Sequence, residues 1–131
     1  MTMSGLTEKF GELESLIAEK KGEFALFALF MREDAPDRWD LIVSAPWALA
    51  DKQSAIDYLI DQIKLSLGDE GLPSLARILV VDPEDPTVQA LNRAISIEHG
   101  RFEVTDSNFF GLPVKHAYII TSKRPPAPAA A

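Results

Sequence analysis

The sequence predicts one α/β (α+β) domain, in the order α-β-β-α-β-α-β-β, on a mixed sheet. Apolar residues recur at helical spacing in some segments and alternate or run unbroken in shorter ones, with turn formers between them. A length of 131 residues, 47% hydrophobic and 25% charged, suits one domain with a sizeable core. The expected sheet has an N-terminal antiparallel hairpin and a central parallel βαβ unit, packed by three helices. The domain is expected over residues 1–122. The Pro/Ala-rich stretch 123–131, "KRPPAPAAA", reads as a disordered tail.

The first helix is expected from Thr7 to Lys21, because Leu6, Phe10, Leu13 and Ile17 form one stripe and Gly22 can end it. "EFALFALFMR" is apolar on both alternating faces and reads as a strand covered on both sides. "EDAPD" turns the chain into "RWDLIVSA", and the short link implies an antiparallel pair. Pro46 closes that strand. From Asp51 the stripe Ile56, Leu59, Ile60, Ile63 and Leu67 predicts a second helix stopped by Gly68.

"ARILVV" is short, apolar and rich in β-branched residues, which suggests a central parallel strand. Asp85-Pro86 is a cap followed by a first-turn proline, and Val88, Leu91 and Ile95 line a third helix. "RFEVTD" alternates as a half-buried strand, "SNFFGLP" reads as a loop and "VKHAYIITS" as the last strand.

Composition narrows the function. Twenty acidic against 13 basic residues give a net charge of −7, which disfavours nucleic-acid binding because the basic residues do not cluster. Without cysteine, a disulfide, thiolate catalysis and thiolate metal sites are ruled out. The N-terminus lacks the pattern of a signal peptide, and the longest apolar run, 24–31, is too short to span a bilayer. A cytoplasmic protein with no membrane, nucleic-acid, metal or cofactor partner is expected.

A right-handed crossover from the second strand to the third makes them parallel, so their carboxyl ends share one sheet edge. That upper edge receives Ser44, Trp47, Asp82 and Glu84. If the fourth strand is also parallel, Asp106, Asn108 and His116 join them, while Trp39, Asp40, Glu98, His99 and Arg101 lie at the lower edge. The upper set is the candidate cleft, since ligands of open α/β sheets bind beyond the carboxyl ends of strands. Two alternatives weigh against it: "DPEDP" explains itself as a turn with acids at a helix N-terminus, and Asp106 to Asn108 are ordinary turn residues.

Other motifs lack a necessary part. "PDRWD" suggests the PD-(D/E)xK nucleases, which use an acid pair and a lysine on neighbouring strands, but the strand that should carry Glu-x-Lys carries "ILVVD". Neither helix start after a strand has the glycines of a phosphate loop. A triad of Ser44, His116 and an acid lacks a nucleophile elbow. His99, in "EHGR", has the intrinsic pKa for acid–base work but sits at a glycine turn, where a solvated histidine needs no purpose.

Trp39 at a strand start, with Phe109 and Phe110 beside Gly111, forms the candidate interface, aromatic residues being favoured anchors. The expected function is a small non-catalytic protein-interaction or self-associating module, with a homodimer through an exposed strand edge, first or fifth, as one form. The alternative is a small hydrolase or metal- or ligand-binding enzyme using the upper cleft.

Overall fold

The computed structural model describes residues 3–34, 38–68, 72–109 and 112–123. Helix α1 is Met3–Lys21, followed by strands β1, Leu26–Arg32, and β2, Trp39–Ser44. Helices α2, Pro46–Ala50, and α3, Lys52–Leu67, come next, then a single 3₁₀ turn, Leu72–Ser74, and β3, Leu75–Val80. Helix α4 is Pro86–Ala94, and β4, Phe102–Phe109, and β5, Leu112–Ser122, complete the sheet. The α+β class and the mixed sheet of the sequence reading hold.

Local chemistry accounts for the helix ends. Gly22, at φ 128°, stops α1 by taking a backbone conformation that side-chain-bearing residues avoid, and its N–H donates to Ala18 O at 3.1 Å. Asp51 caps α3 by accepting from Ser54 N at 3.1 Å, and Asp85 caps α4 by accepting from Thr87 N at 2.8 Å. The hydrogen bonds from Ser54 also hold the Asp51 carboxyl below the ordinary aspartate value. Pro46 ends β2 as expected but also starts α2, an element absent from the sequence reading, so Trp47 is helical.

The sheet order is β3-β2-β1-β5-β4. β1 lies antiparallel between β2 and β5, β3 runs parallel to β2, and β4 runs antiparallel to β5. The expected hairpin and the expected parallel pair are both present. Four expectations need correction. "ARILVV" is parallel to β2 but stands at the sheet edge. The condition that the fourth strand be parallel is not met: it opposes β2 and β3, and β5 runs with them. The open edges belong to β3 and β4, since the first and fifth strands are each paired on both sides. "SNFFGLP" is also mostly strand: β4 continues to Phe109, which pairs with Leu112.

Two apolar layers sandwich the sheet. On one face, Phe10, Leu13 and Ile17 of α1 and Leu59 and Ile63 of α3 meet Phe27, Leu29, Leu41 and Val43. On the other, Val88 and Leu91 of α4 meet Leu26, Ala28, Ile42 and Ile119. Asn92 ties α4 down by donating to Ala25 O at 2.9 Å and to Ser122 Oγ at 3.1 Å. Among the described residues, no helix is long and apolar enough to cross a membrane. The tail residues 124–131 lie outside the described residues. Lys123 belongs to the body, its N–H donating to Ala25 O at 3.1 Å.

Candidate functional site

The β4 direction redistributes the reactive side chains. Leu26 is level with both Ser44 and Ser122, which marks the upper edge, while Phe30 and Met31 are level with Asp40 and His116 at the lower one. Glu98, His99 and Arg101, expected below, therefore lie above. Asp106, Asn108 and His116, expected above, lie below. Five residues of β1 separate the levels of Ser44 and His116, roughly 16 Å of strand. A Ser44–His116 triad cannot form.

The upper candidates that remain serve the fold. Ser44 is buried, and its Oγ has no hydrogen-bond partner. Trp47 donates through Nε1 to Gly22 O at 3.2 Å and packs edge-on against Phe24 and Tyr58. Asp82 accepts from Glu84 N at 2.8 Å, and Glu84 accepts from Gln89 Nε2 at 2.9 Å. "DPEDP" is thus a self-bonded turn that launches α4. Among the described residues, no group of three or more His, Asp or Glu side chains has the geometry to hold a metal ion.

At the lower edge, Asp40 is buried on the α4 side of the sheet. Arg32 Nε donates to its Oδ2 at 2.8 Å, and Arg77 Nε lies 3.0 Å from the same oxygen without hydrogen-bond alignment. The parallel β2–β3 pairing places Arg77 opposite Asp40, while Asp82 follows the far end of β3. Asp40 and Asp82 therefore cannot share a metal, and Asp37 of the nuclease-like pattern lies outside the described residues.

On the opposite face, Trp39, Tyr118 and His116 form an aromatic row. His116 stacks on Tyr118 with centroids 4.8 Å apart, and Trp39 lies 5.5 Å from Tyr118. Trp39 is 2% exposed, so the core encloses it and leaves little of it to offer a partner. Phe109 is in β4, whereas Phe110 lies outside the described residues.

Glu103 of β4 bonds His116 Nε2 and stands level with Tyr118. Burial raises the Tyr118 pKa above the ordinary tyrosine value, and the nearby Glu103 charge raises it further, against a smaller lowering by Arg101. The neutral phenol's contribution to stability is present below the ordinary tyrosine value and is lost as pH rises through the raised one. In a Tyr58→Phe background, ultraviolet titration is expected to give a Tyr118 midpoint above the ordinary value. Glu103→Gln should lower that midpoint without restoring it fully, since burial remains.

The most chemically distinctive arrangement is at the upper edge, between α1 and the segment entering β4. Glu14 has no exposed side-chain surface, and its Oε1 lies 2.6 Å from His99 Nδ1. Its Oε2 is buried without a partner. His99 is held from the backbone as well: its N–H donates to Thr121 Oγ1 at 3.1 Å, and its φ of 53° is left-handed, rare for a residue with a side chain. A carboxylate only accepts, so an ionised Glu14 takes its hydrogen bond from His99 Nδ1–H, and Nε2 is left without a protein hydrogen-bond partner. Glu98 Oε2 is 3.9 Å from Nε2, and that carboxylate is engaged by Lys123.

An open cleft of about 520 Å³ adjoins this pair, lined by Thr7, Gly11 and Ser15 of α1 and by His99, Gly100 and Arg101 opposite. The reading of "EHGR" as a turn with a solvated histidine missed Glu14. One signal was available: Glu14 follows Phe10 by four residues and precedes Ile17 by three, so it interrupts the buried stripe of the helix. An acid in that position needs a partner. No known protein-family model matches the chain, and no curated protein or solved structure does either.

Proposed function

We propose that the protein is a small self-associating module in which the β3 edge of one copy pairs with the β3 edge of a second. The observation that carries this reading is the contrast between the two open edges. β4 is guarded by Glu103 and Asp106, and its ladder skips Asp106, whose φ is 50°. β3, "LARILV", has one charge, and Arg77 spends it on Asp40 within its own chain. The register of β3 against β2 shifts once, at Ala76, and beyond it the run Arg77 to Val80 has no proline and no unpaired charge, which makes that edge a template for another strand.

The β3 sequence also suits a twofold pairing. Antiparallel partners on a continuous sheet must face the same side, which allows Ile78 opposite Ile78 and Arg77 opposite Leu79, with Ala76, where the register with β2 shifts, flanking the pair. Centring the pair on Arg77 instead would oppose two guanidinium groups. Ile56 and Ile78, partly buried beside the core, would add apolar contact along the junction.

Sedimentation equilibrium tests the reading. The wild type is expected at twice the monomer mass at concentrations below about 1 mM, and Ala76→Lys at monomer mass with its thermal midpoint retained. Added salt should strengthen the dimer, because the net charge of −7 on each copy opposes association. A wild type that stays monomeric throughout, or a lysine variant that dimerises equally well, contradicts the reading.

A further inference from the structure

We propose that the cleft beside His99 binds a small zwitterionic ligand of the amino-acid class. Its two walls carry opposite charge. Glu8 and Glu12, four residues apart on α1, face the cleft from one side, and Arg101 faces it from the other. None of the three takes part in an ion pair among the described residues, so the charges flank an open space instead of closing it. His99 Nε2 adds a ring nitrogen that no protein group within hydrogen-bond reach satisfies, and in the neutral Nδ1–H ring it accepts.

A primary ammonium matches the acidic wall and Nε2 together, since it has three donors and no acceptor. A carboxylate matches Arg101, whose guanidinium presents paired donors. A molecule carrying both groups spans the cleft, whereas a simple amine or a simple acid satisfies one wall only. Glu14 is a positioning residue here: it acts through His99 by holding the Nδ1 proton. This site lies away from the β3 edge and does not depend on dimer formation.

Gly11 provides a test that spares the fold. It lines the cleft, and a Cβ built on it would meet nothing within 4 Å. Gly11→Phe starts its ring from a Cβ position with open space around it, should occupy the cleft, and replaces a poor helix former with a better one. Amide NMR titrations would use glycine, L-serine and L-arginine, with acetate and methylammonium as half-ligands.

At least one zwitterion is expected to give saturable shifts at His99, Gly100 and Arg101, about tenfold or more tighter than either half-ligand. Gly11→Phe should abolish those shifts while its thermal midpoint is kept. Imidazole ¹⁵N shifts should report the Nδ1–H form in the wild type, and Glu14→Leu, which removes the acceptor, should lose that signature along with affinity. Zwitterions that bind no better than acetate or methylammonium, or not at all, overturn the proposal. So does a Gly11→Phe variant that binds as the wild type does.

Discussion

Asp40→Ala is expected to lower the free energy of unfolding by about 3 kcal/mol, because removing one partner of a buried ion pair strands the other charge. The Asp40 side chain is 3% exposed, and Oδ2 faces both Arg32 Nε at 2.8 Å and Arg77 Nε at 3.0 Å. The Arg32 side chain is 19% exposed, so part of its charge can recover hydration, which places the effect at the low end of the buried-pair range. Asp34 also remains available to Arg32 at 3.0 Å. The Arg77 side chain is 37% exposed and can hydrate its terminal nitrogens, but its Nε is buried and has no aligned acceptor even now. Urea unfolding of the variant checks this; a loss under about 1 kcal/mol would place the pair among exposed salt bridges instead.

The second large effect is expected from Phe27→Ala, a loss of about 3 to 5 kcal/mol. Phe27 has no exposed surface and sits in β1, between Val43 on β2 and Thr121 on β5. Its ring lies 5.0 Å from that of Phe24, nearly edge-on. Truncation would leave a void walled by paired strands, which cannot collapse without breaking the ladders on either side. The loss should appear as a lower urea midpoint with an unchanged slope. A loss near 1 kcal/mol would mean that the helical layer settles onto the sheet and closes the void.

These expectations rest on features that the sequence displays unevenly. The three predicted helices are found because each carries its own periodicity, cap and stop within one stretch of chain. Asp51 and Asp85 act where they stand. The β1–β2 hairpin and the parallel β2–β3 pair follow from short connections and from the handedness of crossovers. "ARILVV" was misplaced because an apolar strand covered by helices on both faces looks the same at the edge as in the centre. Its outer hydrogen-bonding groups leave no mark on side-chain pattern.

The site was less legible than the fold. His99 and Glu14 are 85 residues apart, and only the long return of β5 past β1 brings the segment before β4 onto α1. Reversing the last two strands moved His116 from the company of Asp82 to that of Glu103, and moved His99 from the lower edge to the upper. The short-range part of the DPEDP turn, in contrast, was readable at once, since its acids bond their own backbone.

What the sequence by itself determined is the set of elements: where helices start and stop, which residues face inward, and which two neighbouring strands must run together. These are decided within a turn or a crossover, by capping groups, apolar spacing and chain reach. The tertiary structure alone decided the order of the sheet, the direction of β4, and the pairing of Glu14 with His99 and of Asp40 with Arg32 and Arg77. Apart from the Asp40–Arg32 contact, which closes within the β1–β2 hairpin, each of those depends on competition among distant strands for the same hydrogen-bonding edge. The winner is set by how well whole faces bury against one another, a property that no single stretch of residues carries.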